Sequence, residues 1–492
     1  MRIALAWALL ATPVLADTLR VGIDLLPPSL GNPYRTAMPP SIWSTYALFD
    51  SLTRFDRDGK IIPGLAVSWT KVDDVTWRFG LRDGVTYHNG VPFTADAVVA
   101  AVTYLASDAG GREGIKREIG VLKSARALDP LTVEITTSEP APQMPRYATA
   151  LMPAEPGQWA ALGRDGFARA PIGTGPYRMV AMEENVWRMA RFEGAWRKAR
   201  IAELEVLAVP ETSSRVTGLL AGRLAVALSL SPDAIDTVTA AGHAGYVSAD
   251  PSVFGLSFIV SRPGPLQDVR VRRALNMAVN RERIIAGLLA GTTVPASQPA
   301  ARNVLGHDPS IAPYPYDPAT AKRLLAEAGY PNGFSFTLEG AVGIDANDAA
   351  VFQQVQNDLM AVGVAMKIKT IPSTQYFNAL GQTSFEGDAF PVDWPSWPTI
   401  DVTRSLLPHS CFRPVPWYCD ATLTPLLVAA RTEWDEGKAL ALRRDLMRRY
   451  HDQAPALFLY ETVNFAAVSA RVKNFHMLNG SHIPYDELEL TP

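Results

Sequence analysis

The stretch from Asp317 to Thr370 restricts the possible folds more than any other part of the chain. Asp317 stands where a helix N-cap belongs, with Pro318 at the first helical position. Ala321, Leu324, Leu325 and Ala328 fall on one helical face before Gly329 supplies a stop. Pro331-Asn332-Gly333 then turns the chain into an apolar strand, Phe334 to Leu338. A second helix, carrying Phe352, Val355 and Leu359, ends at Gly363 and feeds a strand from Val364 to Thr370. Helix, strand, helix and strand in this order require a layered α/β lobe whose sheet is covered on both faces. At 492 residues the chain has room for two large lobes, and its 39 prolines and 35 glycines are spread throughout instead of marking one linker.

Residues Trp77 to Val102 read WRFGLRDGVTYHNGVPFTADAVVAAV. Val75, Trp77, Phe79 and Leu81 alternate with polar or small residues, the period of a half-buried strand. Asp83-Gly84 and Asn89-Gly90 are turn dipeptides, and Thr94 is the expected N-cap of a helix with Asp96 in its first turn. Further on, PIGTGPYRM, Pro171 to Met179, places Gly173 and Gly175 in a turn that enters a strand. A phosphate-cradling loop is the alternative there, but such a loop needs Gly-Lys-Ser/Thr opening a helix. In QDVRVRRALNMAVNRERIIAGLLAG, Asp268 and Asn280 cap two successive helices, and the arginines are expected on a solvated or interlobe face.

These segments, with Pro63, Leu65-Ala66 and Ser68-Trp69 after a hairpin at Asp58-Gly59, resemble the family 5 extracellular solute-binding proteins. Those are the capture subunits of ABC importers for peptides, nickel complexes, opines and similar small solutes. The resemblance implies a two-lobed periplasmic binding protein of the Venus-flytrap type, of the large class with an extra subdomain in lobe I. On that reading residues 17–257 form lobe I, with the subdomain over about 45–170; residues 258–461 form lobe II, and 462–492 return to lobe I. The first crossing is expected where the apolar run Phe254 to Val260 meets Arg262-Pro263-Gly264-Pro265.

The first residues combine Arg2, an apolar run from Ile3 to Ala11 and small residues ending at Ala16, the pattern of a signal peptide over residues 1–16. The run is too short for a membrane span, which needs about 20 apolar residues. No Cys follows the expected cleavage point, so a soluble periplasmic protein without a lipid anchor is expected. In that oxidising compartment Cys411 and Cys419 read as a disulfide, with a redox or metal pair as the alternative. The resemblance supports the disulfide, since many peptide-binding members carry a similar short loop. A net charge of -3 suggests neither nucleic acid nor an anionic membrane as partner.

No metalloprotease, nucleophile-elbow, Walker or dinucleotide motif is present, and the seven histidines are scattered. No cofactor, metal site or catalytic residue is therefore assigned. The resemblance implies a ligand in the interlobe cleft, facing two segments. The first holds Asn32, Tyr34 and Arg35. The second, Gly387 to Asp401, lies where family members bear Gly-Trp-x-x-Asp, whose Asp pairs with the amino group of a bound peptide. Asp393 is the matching position, although the preceding aromatic, Phe390, departs from the family spacing. A capping or surface role is the alternative for Asp393. Trp394 and Trp397 are expected to wall the pocket, with packing under the disulfide loop as the other reading. Phe254 and Gly255 are further candidates at the crossing. The expected function is capture of a peptide or peptide-like solute by a monomer that delivers it to an inner-membrane ABC permease. A nickel chelate, opine or other small organic solute is the runner-up. A secreted hydrolase or a chaperone-like peptide binder are alternatives of a different class.

Overall fold

The computed structural model describes residues 18–35, 41–344, 346–478 and 482–491. The expected signal peptide lies outside the described residues. Two strands, Ala244–Phe258 and Ala456–Val468, are long enough to serve both lobes. They pair antiparallel, with a register shift between Ala249 and Val253. Before the shift, the paired strands continue through Val226–Ala227 to Thr18–Ile23, Glu203–Ala208, Val186–Arg191 and Tyr177–Met182, the sheet of lobe I. Beyond it, Phe254–Phe258 pair with Ala389–Asp393, followed by Phe334–Gly340 and Val364–Thr370, the sheet of lobe II.

The partner exchange occurs at Asp250-Pro251-Ser252 because Pro251 has no N–H to give the ladder, and the extra residues bulge out. The strand therefore enters lobe II before Phe254, earlier than Arg262-Pro263-Gly264-Pro265, which closes it instead. Residues 257 and 258, where the boundary is expected, lie in the part of this strand that pairs with Ala389–Asp393. The return crossing, opposite the bulge, lies at Glu461–Val463.

Lobe II follows the alternation read from the sequence. Strands Phe334–Gly340 and Val364–Thr370 are parallel and joined by helix Asp348–Met360. Asp317 caps helix Pro318–Glu327 by accepting the Thr320 N–H at 3.0 Å. Asp268 and Asn280 also cap as expected, accepting from Arg270 and Arg283 N–H. The arginines of this helix pair do not all face solvent or the other lobe. Arg272 and Arg281 are buried, and their guanidinium groups donate to the carbonyls of Gln453, Ala454, Leu266, Phe458 and Asn276. A planar fork of N–H donors can satisfy several chain ends that would otherwise lack partners. Burial lowers the Arg281 pKa to about 10, so the group stays charged at neutral pH.

Within the segment expected to form the subdomain, a separate four-stranded antiparallel sheet runs in the order Ala66–Lys71, Thr76–Leu81, Thr132–Thr137, Leu122–Asp129. Phe79, Val133 and Ile135 are buried in one core with Val98, Ala101, Val102 and Leu105 of helix Ala95–Ala106. Thr94 occupies the N-cap position, but its side chain makes no capping hydrogen bond. The segment Tyr87–Asn89 lies against the Gly-Thr-Gly-Pro-Tyr turn: His88 N–H donates to the Gly173 carbonyl at 2.9 Å. A Cβ on Gly173 would sit 2.0 Å from the Leu48 carbonyl oxygen, so only glycine permits this approach. The chain end is tied to lobe I through Arg197, which binds Asp50 at 2.6 Å and also pairs with Asp486.

Candidate functional site

The segment after strand Ala389–Asp393 runs along the bulged crossing strand. Trp394 N–H donates to the Val253 carbonyl at 2.8 Å and Ser396 N–H to the Pro251 carbonyl at 2.9 Å. This pairing carries the segment from lobe II onto the face of lobe I. Trp397 ends up in the lobe I core, with its indole N–H on the Asp250 carboxylate at 3.0 Å and its ring edge-on to His482. The Trp397–Pro398 peptide is cis.

Side chains of lobe I receive this segment. Arg146 donates to the Thr399 carbonyl at 3.1 Å, and the Thr149 hydroxyl to the Pro398 carbonyl at 3.4 Å. Arg404, just beyond, makes a two-pronged ion pair with Glu118, both bonds 2.7 Å. Arg431 reaches Glu139 at 2.7 Å, and Trp434 stacks on Trp77 of the subdomain sheet. The lobes are thus closed on one another. Between them remains a cavity of about 20 Å³, lined among others by Pro33, Ile42, Tyr46, Thr149, Pro398 and His482. That is room for about one water and no solute, so capture needs the lobes to separate. Burial lowers the His482 pKa to about 3, so its imidazole is neutral in the closed form.

The sequence-selected residues separate into two groups in this geometry. Trp397 lies at the contact between lobes. Asp393 is half-buried at the end of its strand, in register with Phe254 beside the crossing. Trp394 is wholly enclosed in lobe II: it stacks on His409 with ring centres 3.4 Å apart and donates to Ser257 Oγ. His409 in turn accepts from Trp417 in the disulfide-closed loop, so Trp394 sits under that loop, the second of its two expected places. Cys411 and Cys419 are bonded to one another.

Tyr34 is buried in lobe I, accepting the Ala154 N–H at 2.9 Å and packing on Tyr104 and Trp159. Asn32 is buried and accepts the Tyr34 N–H, whereas Arg35 is exposed. Phe254 packs between Phe352 and Tyr460. A Cβ on Gly255 would lie 2.8 Å from the Leu457 carbonyl oxygen, so this glycine serves strand packing. Glu118, Arg146, Thr149, Arg404 and His482 carry no local motif, and only the folded chain brings these distant segments of the two lobes together. Among the described residues no group of three His, Cys, Asp or Glu could hold a metal ion, and no helix is long and apolar enough to cross a membrane.

Comparison with known proteins agrees with this architecture. The glutathione-binding protein GsiB of Pectobacterium atrosepticum is 27% identical over 468 residues, 90% of this chain and 89% of that protein. Two solved structures share the fold over nearly the whole length. One is the periplasmic binding protein DppA from Helicobacter pylori in complex with the peptide STSA, with TM-score 0.84, 22% identity, and 96% of this chain and 98% of that one covered. The other is NikZ from Campylobacter jejuni in complex with Ni(L-His), with TM-score 0.84, 21% identity, and 96% and 99% covered. Residues 60–409, more than half of the chain, match the model of the bacterial extracellular solute-binding proteins, family 5 Middle, and the chain belongs to that family.

Proposed function

We propose that this protein is the periplasmic solute-capturing subunit of an ABC importer and that its solute is a peptide or peptide-like molecule. The observation that carries the reading is the closed interlobe contact. A segment of lobe II, Trp394–Asp401, is laid along the crossing strand and clamped onto lobe I by Arg146, Thr149 and the Glu118–Arg404 pair. Contacts of this kind, made between lobes that share two crossing strands, suit hinge closure over a ligand. The relative matched over 89% of its length is named for binding glutathione, itself a peptide-like solute.

The ligand would contact the lobe I wall around Pro33, Ile42 and Tyr46 and the lobe II segment from Asp393 to Pro398. Asp393 stands as the carboxylate for an ammonium group, and Trp397 and Arg35 as further contacts once the lobes part. Asn32, Tyr34, Phe254, Gly255 and Trp394 would then hold the walls in place from behind. The closed form would be presented by a monomer to an inner-membrane permease, with no covalent step. A nickel chelate or opine is the second reading. It is kept in view by the NikZ structure, and a metal would have to arrive already chelated, given the donor groups described.

Native mass spectrometry of protein purified from its own periplasm tests this reading. A retained small peptide or peptide-like mass, lost on unfolding, is the expected result. Turnover of candidate peptides into products, or suppression of aggregation of unrelated proteins without stoichiometric binding, would overturn it in favour of a hydrolase or a chaperone.

A further inference from the structure

A second hollow lies away from the contact between the lobes. A hollow of about 750 Å³ lies on lobe II, lined by residues of the 294–313 segment, by Leu440 and Arg444 of helix Glu436–Gln453, and by Glu461. Its volume is that of a small-molecule site. No residue of lobe I before the crossing and none of the Trp394–Asp401 segment contributes to it.

The lining has two chemical halves. Val304, Ile311 and Leu440 form an apolar wall. The lining also holds two guanidinium groups and one carboxylate. Arg302 is already committed to Glu461: its Nε donates to Oε2 at 3.1 Å and its backbone N–H to Oε1 at 3.2 Å. Arg444 has no ion-pair partner among the described residues, and its half-buried side chain hides an Nε that no acceptor meets. A buried donor of a charged group without a partner is costly, and a ligand oxygen would relieve that cost. Arg443, its neighbour in sequence, differs in having an ion-pair partner, Asp401, on its Nε, although its Nη2 meets no acceptor.

We infer that this hollow is a second binding site, for a small monocarboxylate with an apolar tail, whose carboxylate is taken by Arg444 and whose tail lies on Val304, Ile311 and Leu440. The site is distinct from the interlobe cleft, although its lining residue Leu305 donates its N–H to the Ile400 carbonyl of the interlobe segment at 3.0 Å. It borders Glu461, the residue opposite the bulge where the long strand passes between lobes.

Hexanoate and its uncharged analogue hexanamide are suitable probes, titrated calorimetrically into the full protein at low salt. Saturable binding of hexanoate, with hexanamide much weaker, is expected. Arg444→Gln should weaken hexanoate at least about tenfold, the loss of one charge-assisted hydrogen bond. Leu440→Trp should abolish binding by filling the hollow. Both variants should keep the wild-type melting temperature and the affinity for the solute that co-purifies. In methyl NMR spectra hexanoate should shift Val304, Ile311 and Leu440. No saturation up to millimolar hexanoate, equal binding of hexanamide, an unchanged affinity in Arg444→Gln, or shifts centred on Ile42 and Ile115 in the interlobe cleft would each overturn the inference.

Discussion

Glu118→Gln should open the molecule without unfolding it. Glu118 belongs to the subdomain of lobe I and Arg404 to lobe II, and their side chains are only 17% and 14% exposed when the lobes meet. Both carboxylate oxygens accept from the guanidinium at 2.7 Å, the geometry of a strong two-pronged pair. Each charge-assisted bond is worth about 1.5–3 kcal/mol net. The glutamine oxygen retains one weaker bond, so the closed form should lose about 2 kcal/mol. In the open form water solvates either side chain, so nothing comparable is lost there. The empty closed form has no room for a solute and so competes with capture; by linkage, where the empty protein is mostly closed, the solute dissociation constant should fall by up to about 30-fold, since every 1.4 kcal/mol is tenfold. Fluorophores at exposed Asp108 and Lys322 would read the closed fraction by single-molecule energy transfer, and calorimetry the affinity for the co-purified solute. Arg404 keeps its separate bond to the Pro395 carbonyl, so local structure around it should persist. A closed fraction and an affinity within twofold of wild type, in a protein with unchanged melting temperature, would refute the argument that this pair holds the lobes together.

Three further outcomes test other parts of the structure. Trp394→Ala should cost about 3–5 kcal/mol of unfolding free energy in denaturant, because it empties an enclosed site in the lobe II core; a stable variant that merely loses its solute would instead make Trp394 a direct ligand contact. Replacing Cys411 and Cys419 by Ser should cost about 2–3 kcal/mol, the loop-closure contribution of a short ring, with the cleft unaffected. His482 is held neutral in the folded protein down to about pH 3, while in the unfolded chain it takes up a proton below about pH 6.5. Its contribution is therefore intact above that value and is lost as pH falls, amounting to about 2 kcal/mol at pH 5. His482→Asn should show that much less acid destabilisation between pH 7 and 5 in urea titrations. Buried His409, whose pKa is also depressed by burial, acts in the same direction and is left in place as an internal reference.

The local units and the family are readable from neighbouring residues alone. Caps such as Asp268, Asn280 and Asp317 satisfy donors within a few residues, and strand alternation shows directly in Trp77, Phe79 and Leu81, so both are written in adjacent positions. The Gly173–Gly175 turn was legible as a turn, but its reason, the approach to the Leu48 carbonyl, was not. Everything that depends on distant partners was settled by tertiary structure. Arg272 and Arg281 look like surface charges until carbonyls from residues 453–458 close around them. Trp394 and Trp397 look alike in sequence, yet the ladder along Pro251–Val253 sends one into lobe II and the other onto lobe I. The crossing itself sits at Pro251, because a missing N–H shifts register only where a second strand is there to miss it. The interlobe contacts of Glu118, Arg146 and Arg404 join residues about 250–290 positions apart, a proximity that no local pattern encodes.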